Sequence, residues 1–358
     1  TPWGYLIKHF VILVIGFVLM YSVHKIPFHY FKGISLLMLP VVIILLIYTA
    51  SQGTVIDGAN ASRWVKIPFI GLSFQTSTLA AVVLMVFTAN HLSKPNLREI
   101  KFSRSLLQLW LPVLTVVLLI FPSNLSTAAL LFSMVLILAF VAHYPLKYLL
   151  TICGMGVAFV LLFFLLVKAF PSQFPNRIDT WMSRIENFSS GQSDDGNYQV
   201  ARAKTAIVSG KIFGLGAGKS RMKNFLPQSS SDFIYAIIVE EFGLLGGIGL
   251  ILLYLLLLFR IVVIAHNTLN LFGKLTVVGL GTPIIFQAFI NIGVALQVLP
   301  VTGQNLPMIS SGGTSAWMTC IAMGIILSVS AKRAEAQEVE QEIETNTNPI
   351  SILSETHY

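Results

Sequence analysis

A chain of 358 residues places one aspartate, Asp232, at the end of the polar run Leu226-Pro-Gln-Ser-Ser-Ser, just before a long apolar stretch. Two adjacent glutamates, Glu240 and Glu241, lie about two turns further in, the sole acidic residues inside any long hydrophobic run of this chain. Ionisable groups at membrane depth are costly and mark functional sites by default. From position alone Asp232 fits two roles. It can cap the helix by accepting free backbone N–H groups. It can equally act as a general base at a membrane surface, with the helix dipole favouring its charged form while burial and Glu240 oppose it. Glu240, eight residues on, is about 12 Å along a helix and rotated by roughly 80°, so it can face the same cavity or be a buried structural carboxylate. Glu241 turns to the opposite side and can pair with a neighbouring helix.

Three other stretches carry candidate chemistry. Gly214-Leu-Gly-Ala-Gly-Lys-Ser-Arg-Met-Lys223 interleaves glycines with Lys219, Arg221 and Lys223. Glycines let N–H groups approach a phosphate and cations neutralise it; a flexible loop is the plainer reading, and the spacing is not that of a P-loop. Leu306-Pro-Met-Ile-Ser-Ser-Gly-Gly-Thr-Ser315 opens the last apolar run. Its small residues suit close helix packing or a re-entrant loop, with Ser310 and Ser311 as candidate substrate contacts. In Gly58-Ala-Asn-Ala-Ser-Arg63-Trp64, Arg63 either snorkels beside the aromatic or ligates a phosphate. Histidines do not cluster at metal spacing, and Cys153 and Cys320 sit in apolar runs as small core residues, so no metal-ligand set is expected.

The elements that must hold these residues are membrane helices. The chain is 55% hydrophobic and 11% charged, against about a quarter charged in soluble domains. Nothing points to a soluble enzyme or a nucleic-acid binder; the net charge of +8 suits anionic lipid or an anionic substrate. Stretches of about 20 apolar residues can cross a bilayer. Nine are expected, at roughly 8–24, 32–50, 73–92, 104–121, 125–143, 146–168, 233–258, 274–297 and 313–331. This predicts an all-α polytopic protein with one membrane domain over 1–331 and a Glu- and Asn/Thr-rich tail, 332–358, expected to be disordered. One set of short loops holds eleven Lys/Arg residues and the opposite set only Arg63 and Lys66. The first set is therefore expected to be cytoplasmic, with the C-terminus inside. The long connection 169–232 is then extracytoplasmic and cationic, and 198–209 within it reads as an interfacial amphipathic helix.

Taken together, these segments resemble the SEDS family, the FtsW/RodA/SpoVE polytopic proteins that polymerise peptidoglycan glycan strands. The residues that carry the likeness are Ala59 to Trp64 with Ser73-Phe-Gln75, Gly214-Leu-Gly216, and Leu226-Pro227 with Asp232-Phe233 and Glu240-Glu241-Phe-Gly243. Leu299-Pro, Thr302-Gly303 and Leu306-Pro307 through Ser315 complete it. Order and spacing together are specific where no single piece is. The details are most similar to the division branch. The family has ten spans, so the first is expected to be absent from this chain, which starts at Thr1. Departures exist. Thr76-Ser-Thr78-Leu-Ala-Ala81 stands where the family reads Pro-Ser-Glu-Leu-Ala-Lys, Pro122-Ser-Asn124-Leu-Ser-Thr127 where it reads Pro-Asp-Leu-Gly-Thr, and Ser230-Ser231 where it reads His-Thr.

The resemblance implies a glycosyltransferase of septal wall synthesis at the outer face of the cytoplasmic membrane. Its acceptor is lipid II and its donor a glycan on undecaprenyl diphosphate. Asp232 matches the family's catalytic aspartate. Glu240, Arg63, Lys219, Arg221, Lys223, Ser310 and Ser311 are the candidate substrate contacts. A class B penicillin-binding protein, an FtsI-like transpeptidase, is the implied partner, along with other membrane proteins of the divisome. A divalent cation, Mg or Mn, bridging diphosphate and carboxylate is compatible with this chemistry. An elongation role like that of RodA, a lipid-precursor flippase and a non-catalytic division scaffold are the competing readings. A flippase needs a polar path through both leaflets, whereas the polar residues here gather towards one side.

The charge count makes a testable statement about sidedness. In intact cells or spheroplasts, an impermeant thiol reagent is expected to label Ser190→Cys and not Asn346→Cys. The reverse pattern overturns the orientation.

Overall fold

The computed structural model describes residues 2–51, 55–56, 59–60, 64–66, 73–95, 101–169, 194–226, 229–311 and 313–347. The helices are α1 Pro2–His24, α2 Tyr30–Ser51, α3 Thr76–Leu92, α4 Phe102–Ile120, α5 Leu125–Val141, α6 Leu146–Ala169, α7 Asp194–Gly210, α8 Ile234–Asn267, α9 Leu271–Ala295 and α10 Gly313–Thr347. Six are long and apolar enough to cross a membrane and three shorter ones are apolar, at His9–His24, Thr76–Leu92 and Leu125–Val141. Among the described residues these nine match the expected spans one for one, so the all-α polytopic reading holds.

Differences from the expected architecture are local. Four short strands pair as two antiparallel hairpins between α2 and α3, Val55–Ile56 with Ala59–Asn60 and Trp64–Lys66 with Ser73–Gln75. Helix α10 runs on to Thr347 instead of ending at 331. Its continuation, Ala-Glu-Ala-Gln-Glu-Val-Glu-Gln-Glu, is polar but made of strong helix formers, so the lack of apolar residues misled the expectation of a disordered tail. Most of the long connection, 170–193, and the final residues 348–358 fall outside the described residues. The expected amphipathic helix is present as α7, beginning four residues earlier than predicted.

Helix α9 is the hub, in contact with α3, α5, α8 and α10. Small residues allow this crowding. Gly279 faces Leu138 and Met85, and Gly281 faces Ile261. With no hydrophobic force between helices in lipid, close backbone approach of this kind is what holds a bundle together. Helix α4 carries one π-type turn, Leu106–Trp110, which turns the fully buried Trp110 so that its Nε1 donates to Tyr144 Oη at 3.2 Å.

Helix α8 is broken at Gly243, which adopts φ 72°, ψ −173°, a region open essentially to glycine alone. The break frees carbonyls below it and amides above it. The segment after α7 meets both. Leu215 and Gly216 N–H donate to Glu240 O and Glu241 O, each at 2.9 Å, while Leu244 and Leu245 N–H donate to Lys211 O and Ile212 O at 2.9 and 3.3 Å. A stretch of loop thus replaces the missing turn of helix. The contact is so close that a β-carbon at Gly243 would run into the Ile212 carbonyl, and one at Gly214 into the Glu241 carbonyl.

Two glycine substitutions on one helix separate this device from ordinary helix propensity. Gly243→Ala is expected to destabilise the purified protein by at least about 1–3 kcal/mol from backbone strain alone, read as a lowered unfolding temperature in detergent. Gly249→Ala, whose β-carbon would meet nothing within 4 Å, should be neutral or slightly stabilising.

Candidate functional site

Asp232 ends the turn that leads into α8. The helix starts at Ile234 with Phe233 in the N-cap position, so Asp232 stands one residue outside the place expected of a capping carboxylate. Its backbone is clamped from beneath. Asn291 of α9, fully buried, donates Nδ2–H to Asp232 O at 2.9 Å and to Gln304 O at 2.7 Å. Ser310 Oγ donates to Ser231 O at 2.6 Å, and Ser311 Oγ to Ser230 O at 3.1 Å. Tyr254 Oη, from the lower half of α8, fixes the same connector through Pro307 O at 2.6 Å. The connector between α9 and α10 is therefore laced to the turn bearing Asp232 along its length. Gly303, at φ +69°, passes so near that a β-carbon there would lie 3.6 Å from Asp232 Oδ2.

Gly303 also lines a cavity of about 110 Å³ between α3, α5, α9 and α10. Gln75, Asn124, Thr127, Gln287, Gln304 and Asn305 supply amides and hydroxyls, while Met85, Leu131, Met134 and Met318 make the apolar part. Gln304 Nε2 donates to Thr127 Oγ1 at 3.0 Å, joining the connector to α5. Among the described residues, none of those lining it is ionisable. Thr78 and Ala81, at the two positions where the resemblance would place a glutamate and a lysine, both face it. Next to it, the buried oxygens Asn291 Oδ1 and Thr302 Oγ1 have no hydrogen-bond partner among the described residues, leaving acceptors open to water or a hydroxyl.

Glu240 is not among the residues lining this cavity, and of the two roles open to it the structure shows the buried, hydrogen-bonded carboxylate. It is fully buried under the loop that follows α7. Its oxygens accept from Ser209 Oγ (3.4 Å), Ser220 Oγ (2.5 Å), Arg221 N (3.0 Å) and Met222 N (3.3 Å). Burying a carboxyl is tolerable only with such compensation. The helical spacing to Asp232 is as reckoned, but the inserted loop covers that face, so Glu240 meets the chain's own donors in place of a substrate. Glu241 accepts from Ser220 N at 3.4 Å. The glycine-rich stretch is likewise spoken for, since Gly214, Leu215 and Gly216 N–H all bond to backbone carbonyls. Lys219, Arg221 and Lys223 remain exposed at its tip, with Lys223 Nζ 3.3 Å from Gly218 O. Ser310 and Ser311 serve the turn below Asp232 as described. Arg63 lies outside the described residues.

Asn291, Gln287, Gln304 and Tyr254 escaped the sequence reading. A signal existed for the first two, which are amides one turn apart inside an apolar run, a spacing that puts both on one face.

The family model of cell cycle proteins FtsW, RodA and SpoVE matches residues 1–335. The probable peptidoglycan glycosyltransferase FtsW of Hydrogenovibrio crunogenus is 32% identical over 346 residues, covering 94% of this chain and 84% of that protein. A chain in a peptidoglycan synthase complex, solved to explain how polymerization and crosslinking are coordinated, superposes with TM-score 0.72 at 26% identity, covering 92% of this chain and 90% of its own. A mutant of the rod shape determining protein RodA of Thermus thermophilus gives 0.64 at 25% identity, with 92% and 89% covered.

Glu240 and the loop above it make a checkable pair. Glu240→Gln retains one acceptor oxygen and turns an amide NH₂ toward backbone donors; each unmet group costs about 1–3 kcal/mol. Local opening should then raise tryptic cleavage at Lys219, Arg221 and Lys223 by about tenfold or more, with cutting elsewhere unchanged. Equal cleavage of mutant and parent would remove Glu240 from its role as the loop's anchor.

Proposed function

This chain belongs to the FtsW/RodA/SpoVE family of cell cycle membrane proteins, and we propose that it is a peptidoglycan glycosyltransferase of cell division in which Asp232 is the general base. The observation that carries this reading is the placement of Asp232. Its backbone is pinned by Asn291, and its carboxylate stands beside Gly303, which lines an amide-rich cavity of the helix bundle with no ionisable group among its described lining residues. Amides and hydroxyls of that kind suit the uncharged hydroxyl and acetamido groups of an amino sugar.

In the proposed reaction the acceptor is lipid II. Its sugar 4-hydroxyl attacks the anomeric carbon of the donor glycan. The new C–O bond forms as the bond from carbon to the diphosphate oxygen breaks, the hydroxyl proton passes to Asp232, and undecaprenyl diphosphate leaves with the electron pair. A diphosphate needs no proton to depart, so one carboxylate suffices, and a single displacement inverts the α-linked donor to a β-linkage. Lys219, Arg221 and Lys223, exposed beyond the Glu240 anchor, and Arg63 are the cations proposed to draw the diphosphate to this side. No three His, Cys, Asp or Glu side chains converge among the described residues, so a divalent ion would share Asp232 with the substrate's own phosphate oxygens. The Lys/Arg distribution supports an outward-facing site. Likeness to a polymerase within a synthase complex supports a crosslinking partner of the class B penicillin-binding type. The 32% identity to an FtsW supports division over elongation.

The test is polymerisation of purified lipid II, with and without the cognate transpeptidase. Asp232→Asn is expected to lower the rate by about 10²–10⁴, the usual cost of a lost base, while leaving folding and partner binding intact. Asp232→Glu should also be poor, because a methylene displaces the carboxylate from the reacting hydroxyl. Glu240→Gln should retain more activity than Asp232→Asn. A folded, partner-bound Asp232→Asn protein polymerising near the parental rate would refute the assignment and leave a scaffold.

A further inference from the structure

The segment after α7 comes back along α8 at the level of the Gly243 break. Irregular backbone is not tolerated in hydrocarbon unless protein groups complete its hydrogen bonds. Here the break completes them. Lys211 O and Ile212 O receive the Leu244 and Leu245 amides, and Leu215 and Gly216 give theirs to Glu240 O and Glu241 O. What this stretch and the last turn of α7 turn outward is apolar and open. Phe213 is 80% exposed, Val208 76% and Ile212 56%. The α8 residues bonded to it, Leu244 and Leu245, are exposed as well and continue into the outward face of that helix at Leu252 and Leu253.

The other end of α8 gives the depth. Arg260 is the first basic residue after Gly243. Leu245 precedes it by fifteen residues, about 22 Å of helix, which is less than the ~30 Å thickness of a bilayer's hydrocarbon. Ile212, hydrogen-bonded to Leu245 through its backbone, sits at the same level. Lys211 is exposed beside it, a long stem able to carry its charge up to the headgroups.

We propose that Val208, Ile212 and Phe213 form a re-entrant wedge immersed in the acyl chains of the leaflet on the Asp232 side. Lipid is the occupant because the patch is continuous with the lipid-facing surface of α8 and its backbone is already satisfied. The wedge fixes how deep the loop sits, and through the Glu240 anchor it fixes the depth of the short upper half of α8 that follows Asp232.

Site-directed spin labelling reads this directly. In a cysteine-free background (Cys153→Ser, Cys320→Ala) reconstituted in phosphatidylglycerol and phosphatidylethanolamine vesicles, nitroxides are attached at Phe213→Cys and Val208→Cys. Leu253→Cys serves as the lipid-facing reference and Lys219→Cys as the aqueous one. Collision with oxygen is expected to exceed collision with a water-soluble nickel chelate by a ratio near that at Leu253. A ratio like that at Lys219 puts the loop in water and overturns the proposal. Shielding from both reagents overturns it too, giving the face to protein: another part of the chain, a second copy or a partner helix.

Discussion

The break of α8 at Gly243 is the constraint on which the site depends. A continuous helix would satisfy its own carbonyls and offer the loop nothing. Broken there, it exposes two acceptors and two donors, and the 211–216 segment takes up all four. Unmet, each group would cost about 1–3 kcal/mol, so loop and helix hold each other in one arrangement. The glycines at 214 and 243 are demanded by that approach, since a β-carbon at either would overlap a carbonyl of the opposite strand of the exchange.

From this follows the division of labour among the acids. The exchange brings Ser220 to Met222 over the upper half of α8, and Glu240 gathers their donors. A carboxyl so enclosed holds the loop that carries the cationic tip. Asp232, half-buried at the end of the same short helical segment, is held by its backbone carbonyl through Asn291, which leaves its side chain directed by other contacts. Fixing the main chain sets where the carboxylate stands relative to the cavity-lining connector at Gly303.

Legibility in the sequence followed the range of the interaction. The nine spans were plain, because burial in lipid imposes a long apolar run whatever the fold. Asp232 stood out as the carboxylate bordering such a run. Tertiary facts were hidden. Nothing local to Glu240 says that a loop some twenty residues upstream will cover it, so the helical wheel leaves open whether it faces a cavity or is buried. Ser310 and Ser311 looked like ligands because hydroxyls at a helix start are ambiguous; only the fold shows their protons going to Ser231 O and Ser230 O. The length of α10 was misjudged because the tail's helix propensity was weighed below its polarity.

The departures at Thr78 and Ala81 have a physical consequence. Both line the cavity, and among the described residues no ionisable group lines it with them, so none of those competes electrostatically with Asp232 or attracts a diphosphate inward. Among the described residues the nearby charge is the Asp232 carboxylate beside Gly303, and the exposed cations lie on the separate loop that Glu240 anchors. A neutral pocket in low dielectric would repel the diphosphate, whose desolvation is expensive, while accepting a sugar through the amides of Gln75, Gln287 and Gln304. A lipid-linked saccharide would then be oriented by exclusion as much as by attraction.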